Sequence, residues 1–216
     1  MVLSDRQILE GLERGNIVID PFKPENVNTS SYDVCLGENI FREQSPAHLS
    51  GIFIPYDEAD VRAVWGEPEQ AKPAHEVLPT HRLKSSKISP DDLVILIAPG
   101  ETILAHTIEF AGGRNHITTT MQARSSIGRS FIEVCKCAGW GDVGYINRWT
   151  MEITNNSQRQ SVPLVVGTRV AQLVFMETGG ILGPDYSVRG AYQTTDNLEE
   201  LKRSWKPEMM LPRLRR

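Results

Sequence analysis

The second half of the chain consists of short apolar runs broken at close intervals by glycine, proline and asparagine. From residue 91 onward the runs read LVILIA, TILAHTIEF, ITTTMQA, IEVCKC, WTMEITN, SVPLVV and RVAQLVFM. Pro99-Gly100, Gly112-Gly113, Gly139 to Gly144, Asn155-Asn156-Ser157 and Gly167 punctuate them. Short strands with regular turn signals predict an all-β barrel or jelly roll. A parallel sheet needs a long crossover between successive strands, usually a helix, and no segment here is long enough to supply one. The fold class expected is mainly β.

The first half is less regular. Ser4-Asp5-Arg6-Gln7 is a capping-box pattern. Ile8, Leu9 and Leu12 follow at helical spacing and Gly15 sits where a helix terminates, so a short helix is expected over about 5–14. IVID begins an extended segment broken by Pro21 and Pro24, and SSYDVCLG (30–37) alternates like a strand ending in a turn. Residues 43–90 are rich in proline and predict a loop-rich insertion with one short helix, too short to carry a core of its own. Beyond Gly179 the chain turns polar and ends in LKRSWKPEMMLPRLRR, expected to form a short helix and an arm lying on a neighbouring molecule. The 216 residues thus read as a single domain, 1–216, with an insertion at 43–90 and a C-terminal arm at 179–216.

Composition narrows the partners. Hydrophobic residues make up 40% and charged residues 23%, which fits a soluble domain. A formal charge of −4 argues against nucleic acid or a membrane surface as partner, while leaving a small phosphorylated ligand open. No run approaches the roughly 18 apolar residues of a membrane span, and the N-terminus carries acids where a leader needs a basic start. Three cysteines do not make a disulfide framework, so a reducing cytoplasm is expected. Cys135 and Cys137 form a C-x-C pair that would point the same way in a strand. The five histidines (48, 75, 81, 106 and 116) are scattered, so no zinc site is expected and the pair reads as small core or hairpin residues.

Two stretches carry chemistry. ARSSIGR (123–129) sets two arginines and two hydroxyls at an expected turn, a donor set suited to phosphate and equally compatible with a solvated surface turn. In WTMEITN, Glu152 alternates with Thr150 and Thr154, while Met151 and Ile153 between them are apolar. That alternation directs the carboxylate away from the core.

Five blocks, YDVCLG, ARSSIGR, AGWGDVGY, MEITN and RVAQLVF, together resemble the deoxycytidine triphosphate deaminases of the trimeric dUTPase superfamily. The resemblance runs from LSDRQILEGLERGNIVIDPF through APGETILAHTIEF to RVAQLVF, then fades. It implies a distorted β jelly roll that forms homotrimers with active sites at subunit interfaces. The reaction implied is hydrolytic deamination of dCTP to dUTP and ammonia, with Mg2+ carried on the triphosphate and no metal at the base. By the same match Glu152 carries protons, Arg129 and Ser125 hold the attacking water or polarise the base, and the Ala138 carbonyl orients that water. Arg124 and Ser126 grip phosphate, Asp142 holds the sugar 3′-hydroxyl, and Tyr145 packs beneath deoxyribose. Gln172, Tyr186, Tyr192 and Gln193 complete the substrate-binding set, whereas Tyr32 and Asp33 are expected to be structural. The H-x-E and P-C-x-x-C signature of zinc cytidine deaminases is absent.

The chain departs from that pattern at Gly141, Val143 and Asn147, where the family keeps an aliphatic residue, a proline and a glycine. In AYQTT (191–195), Ala191 and Thr195 replace a lysine and a glutamine. These changes leave open the phosphorylation state and any base modification of the substrate. Three other activities remain as alternatives: a plain dUTPase, a bifunctional enzyme forming dUMP, and a non-catalytic nucleotide-sensing trimer. Glu152 weighs against the first, because plain dUTPases carry an apolar residue there.

Overall fold

A computed structural model describes residues 1–193 and 195–214. The chain opens with helix α1 (Asp5–Glu13), whose capping box forms as expected: the Ser4 side chain accepts from the Gln7 backbone while the Gln7 side chain accepts from the Ser4 backbone. Gly15 follows with φ of +72°, the left-handed conformation that ends a helix at low cost. Strands β1 (Ile17–Asp20), β2 (Val27–Asn28), β3 (Ser31–Cys35) and β4 (Asn39–Arg42) come next.

The 43–90 segment is more structured than the single helix expected. It holds α2 (Glu58–Trp65), strands β5 (Glu69–Gln70) and β6 (Lys72–Pro73), and helices α3 (Ala74–Val77) and α4 (Thr80–Lys84). Asp57 caps α2 by accepting from the Ala59 N–H at 2.8 Å, and Val61 and Val64 bury its inner face. The two-residue strands pair with the body, β5 on β4 and β6 on the strand that follows the insertion.

The second half contains the strands expected from its punctuation: β7 (Leu93–Ile97), β8 (Thr102–Gly113), β9 (Ile117–Ala123), then helix α5 (Ser125–Arg129), β10 (Ile132–Val134), β11 (Trp140–Gly141), β12 (Ile146–Asn155), β13 (Val162–Val165) and β14 (Arg169–Glu177). Every pairing is antiparallel. One sheet runs β10-β12-β8-β4-β5 with β1 also on β8, a second β11-β9-β14-β3-β2, and a third β13-β7-β6. Their inner faces share one core, in which Tyr32, Phe175, Ile8, Ile17 and Ile97 are essentially inaccessible. Each such side chain contributes about 1.5–3 kcal/mol by leaving water.

Two local expectations are corrected. ARSSIGR is a short helix rather than a turn, because Gly128 N–H closes an α-type bond onto the Arg124 carbonyl at 3.0 Å. The run IEVCKC stays a strand only to Val134: Cys135 and Lys136 take left-handed φ of 65° and 38°, and Ala138 N–H closes a turn on the Cys135 carbonyl at 2.7 Å. The two cysteines therefore do not share a strand face, Cys135 being buried and Cys137 exposed.

The tail forms α6 (Tyr186–Arg189), α7 (Leu198–Ser204) and a 3-10 turn at Pro207–Met210. Within the chain it packs back on the body of the fold. Leu201 packs with Phe110 and Ile146, and Met210 with Phe41 and Leu104. Phe41, Leu104, Phe110 and Ile146 offer the tail a nearby apolar surface, and burial there removes Leu201 and Met210 from water.

Candidate active site

On β12, Met151 and Ile153 are fully buried in the core, and Thr150 and Glu152 face the opposite side. There they line a cavity of about 430 Å³. The strand is locked in register by an irregularity: opposite the Arg148–Thr150 step, β8 carries extra residues around Thr107. The Thr107 hydroxyl accepts from Trp149 N–H at 2.9 Å and donates to the Glu109 carbonyl at 2.7 Å, satisfying the backbone that the bulge leaves unpaired.

Glu152 is the chemically distinctive group of the cavity. Its Oε2 is buried without a hydrogen-bond partner among the described residues. Burial raises its pKa above the ordinary carboxylate value, with its own backbone and the Lys136 cation pulling in the opposite direction. Ala138, at the end of the Cys135 turn, lines the same cavity. The turn that follows brings in Asp142, whose Oδ1 accepts from the Trp140 indole at 3.1 Å. Gly144 lets that turn close: at φ of +92°, an added Cβ would stand 2.6 Å from the Asp185 carboxyl carbon. Tyr145 lies edge-on to both Trp149 and Tyr186, each at 5.1 Å between ring centroids. Burial pushes the phenols of Tyr145 and Tyr186 upward, so both stay neutral.

The tail is stitched to this turn. Asn147 Nδ2 donates to the Tyr192 carbonyl at 2.9 Å, Tyr186 N–H to the Val143 carbonyl at 2.9 Å, and Arg213 N–H to the Tyr192 hydroxyl at 3.1 Å. Gln193 is buried, and its amide is fully engaged with backbone. Oε1 accepts from Ile146 N–H at 2.7 Å, and Nε2 donates to the carbonyls of Gly144 and Thr195 at 2.9 and 3.0 Å. Asn147, where a glycine was expected, therefore gains a partner that a glycine could not hold.

The residues singled out in the sequence fall into two groups. Ala138, Asp142, Tyr145, Glu152, Tyr186 and Tyr192 line the cavity. Arg124, Ser125, Ser126, Arg129, Gln172 and Gln193 do not. Ser125, Ser126 and Arg129 are exposed on α5. Arg124 lies 3.2 Å from buried Asp33, which also sits 3.5 Å from Arg169. Gln172 donates to the Ser31 hydroxyl at 3.2 Å, and the buried Tyr32 hydroxyl accepts from Lys23 N–H at 3.0 Å. Gln193 clasps the tail to the Gly144–Ile146 backbone.

Sequence reading missed Arg148, Trp65, Trp149, Trp205, Met209 and Met210, all on the cavity wall. Arg148 carried a signal, since it alternates with Thr150 and Glu152. Trp205 carried none, because its place depends on the fold of the tail. Among the described residues no group of three or more His, Cys, Asp or Glu is placed to hold a metal ion.

Comparison with known proteins agrees with this architecture. A family model described as "DCD: dCTP deaminase-like" matches residues 2–178. The dCTP deaminase, dUMP-forming, of Methanosphaerula palustris is 32% identical over 178 residues, 82% of each chain. That of Methanobrevibacter smithii is 33% identical over 177 residues, 81% of this chain and 79% of the relative. The dCTP deaminase of Halorubrum lacusprofundi is 28% identical over 212 residues, 96% of this chain and 94% of the relative. The solved 2′-deoxycytidine 5′-triphosphate deaminase from Agrobacterium tumefaciens superposes with a TM-score of 0.53 at 17% identity. That match covers 84% of this chain, which spans about half (49%) of the solved chain. With the family match covering most of its length, the chain belongs to the dCTP deaminase-like family.

Proposed function

We propose that this protein deaminates dCTP hydrolytically, using Glu152 as proton carrier and no metal at the base. The observation that carries this reading is a desolvated, unpartnered carboxylate in a cavity shared with Ala138, Asp142 and Tyr145. A buried carboxylate without a partner is destabilising, so its retention calls for a task. As carboxylate, Glu152 takes a proton from water as the oxygen adds to C4, and passes it to N3. The remaining hydroxyl proton then moves by the same route to the amine, the C4–N4 bond breaks, and ammonia leaves as the carbonyl forms. Mg2+ enters as part of the substrate, on the triphosphate oxygens.

The relatives' names favour a second step, hydrolysis of the α–β phosphate link to give dUMP. Incubation with dCTP followed by ammonia assay and separation of the nucleotides decides between them. Ammonia with dUMP and pyrophosphate is expected if the relatives are a guide, ammonia with dUTP if deamination stands alone. Absence of ammonia would overturn the proposal.

The packing of antiparallel sheets around one core supports a distorted jelly roll. The separation of the cavity from the exposed α5 residues supports a homotrimer, in which Ser125, Arg129, Arg124 and Ser126 meet the cavity of a neighbouring protomer. Mixing Glu152→Gln with Arg129→Ala protomers is expected to restore part of the activity that each lacks alone, because some mixed interfaces carry both native residues. No restoration after subunit exchange would place the site within one chain. The three free cysteines fit a cytoplasmic enzyme, and no described helix is long and apolar enough to cross a membrane.

A further inference from the structure

The cavity extends beyond the groups that deamination needs. Past Glu152 its wall is formed by Leu104, Trp205, Met209 and Met210, and its single cation among the described residues is Arg148. The Arg148 guanidinium lies 5.3 Å from the centroid of Phe110 and 4.7 Å from that of Trp205. Its Nε is buried without a hydrogen-bond partner, and Arg148 forms no ion pair among the described residues. Burial lowers its pKa, with Glu38 and Glu109 opposing that shift. Stacking satisfies the faces of a guanidinium, whereas its edge needs acceptors. That edge has none among the described residues.

We propose that Arg148 is a specificity subsite for an acidic substituent on the pyrimidine ring, so that the preferred substrates are deoxycytidine nucleotides carrying such a group at C5. The inference rests on deamination at Glu152. If C4 is held there, a substituent on the adjacent C5 remains within the same cavity. Arg148 and Glu152 are four residues apart on β12, about 13 Å at the backbone, with Thr150 between them. Both side chains line the one cavity, so a ring held at Glu152 can present a substituent toward Arg148. A phosphate suits the position less well. It brings up to two charges to a single cation, whose other neighbours are Trp and Met side chains.

The test uses 5-carboxy-dCTP and 5-methyl-dCTP, which probe charge at nearly the same position. All four tryptophans of the chain line the cavity, so their fluorescence reports binding whether or not turnover follows. Wild-type protein is expected to bind the carboxy nucleotide about tenfold or more tightly than the methyl one, as a charge-assisted contact implies. Arg148→Met should bring that ratio near one, and Arg148→Lys should retain part of it. Comparing ratios of kcat/KM between the variants cancels the intrinsic reactivity of the two rings. A wild-type binding ratio near one, binding of neither nucleotide, or a ratio unchanged in the Met variant would overturn the subsite. If the Met variant fails to fold by circular dichroism, the wild-type and Lys ratios decide. Failure to release ammonia from any nucleotide would instead remove the deamination reading, and the binding ratio would still judge Arg148.

Discussion

Replacing Glu152 by Gln is expected to slow ammonia release by about a thousandfold, the scale of a lost general acid–base group. Nucleotide affinity should shift by less than about threefold, since Gln keeps the shape of the side chain while losing its charge and its ability to exchange a proton. Isothermal titration with dCTP alongside an ammonia assay separates the two effects. A variant that deaminates at the wild-type rate would remove Glu152 from the mechanism. The pH profile gives an independent reading. Because burial raises the carboxyl pKa, the acid limb of kcat/KM should lie above the ordinary glutamate value of about 4.3, with activity rising as pH climbs through it. Stability follows the opposite sense. A carboxyl whose folded pKa is raised adds stability below its unfolded value and loses it as pH rises through the folded one. The Gln variant should therefore melt a few degrees higher than wild type at neutral pH, by on the order of 1 kcal/mol, and the gap should close in acid.

Gly112→Ala is expected to be the most damaging single methyl that can be added near the site. A Cβ at this position would overlap the Tyr145 carbonyl oxygen and crowd Ile146 Cα at 3.1 Å. Both are backbone atoms, one in the turn entering β12 and one in its first residue, so no side-chain rotation relieves the clash. The strands must part where Gly144 N–H also donates to the Gly113 carbonyl at 2.8 Å. A loss of about 3 kcal/mol or more is expected, equivalent to roughly 6–12 °C in Tm for a chain of this size. Activity should fall further than stability alone explains, because the displaced turn carries Asp142 and Tyr145. Thermal melts, with kcat/KM measured below both transitions, check the two parts. A melt within 2 °C of wild type would show that the strands separate without cost.

The parts of this fold that were legible in sequence are those set by local patterning. The Ser4–Gln7 capping box, the strands of the second half and the outward direction of Glu152 all follow from neighbours within a few residues. What could not be read depends on contacts between distant segments. Trp205 stacking on Arg148 joins residues 57 positions apart (205 minus 148), and nothing in SWKPEMM indicates which surface it will cover. The insertion was misjudged because its helices are short and its two-residue strands exist only by pairing with the body. The turn at Cys135 was hidden because the residues taking left-handed φ, Cys and Lys, are not the usual turn formers. At the site, residue types pointed to the chemistry, but Gln193 could be assigned to the backbone only once Ile146 and Gly144 were seen beside it.

The clasp at Asn147 and Gln193 divides responsibility along the polypeptide. It grips the main chain of residue 192 and anchors the tail just before its final twenty residues, so the anchor is indifferent to what side chains come afterwards. Beyond that point the chain supplies Trp205, Met209 and Met210 to the chamber wall, while the proton carrier stays on β12. Wall and reaction centre thus reside on separate stretches of the polypeptide.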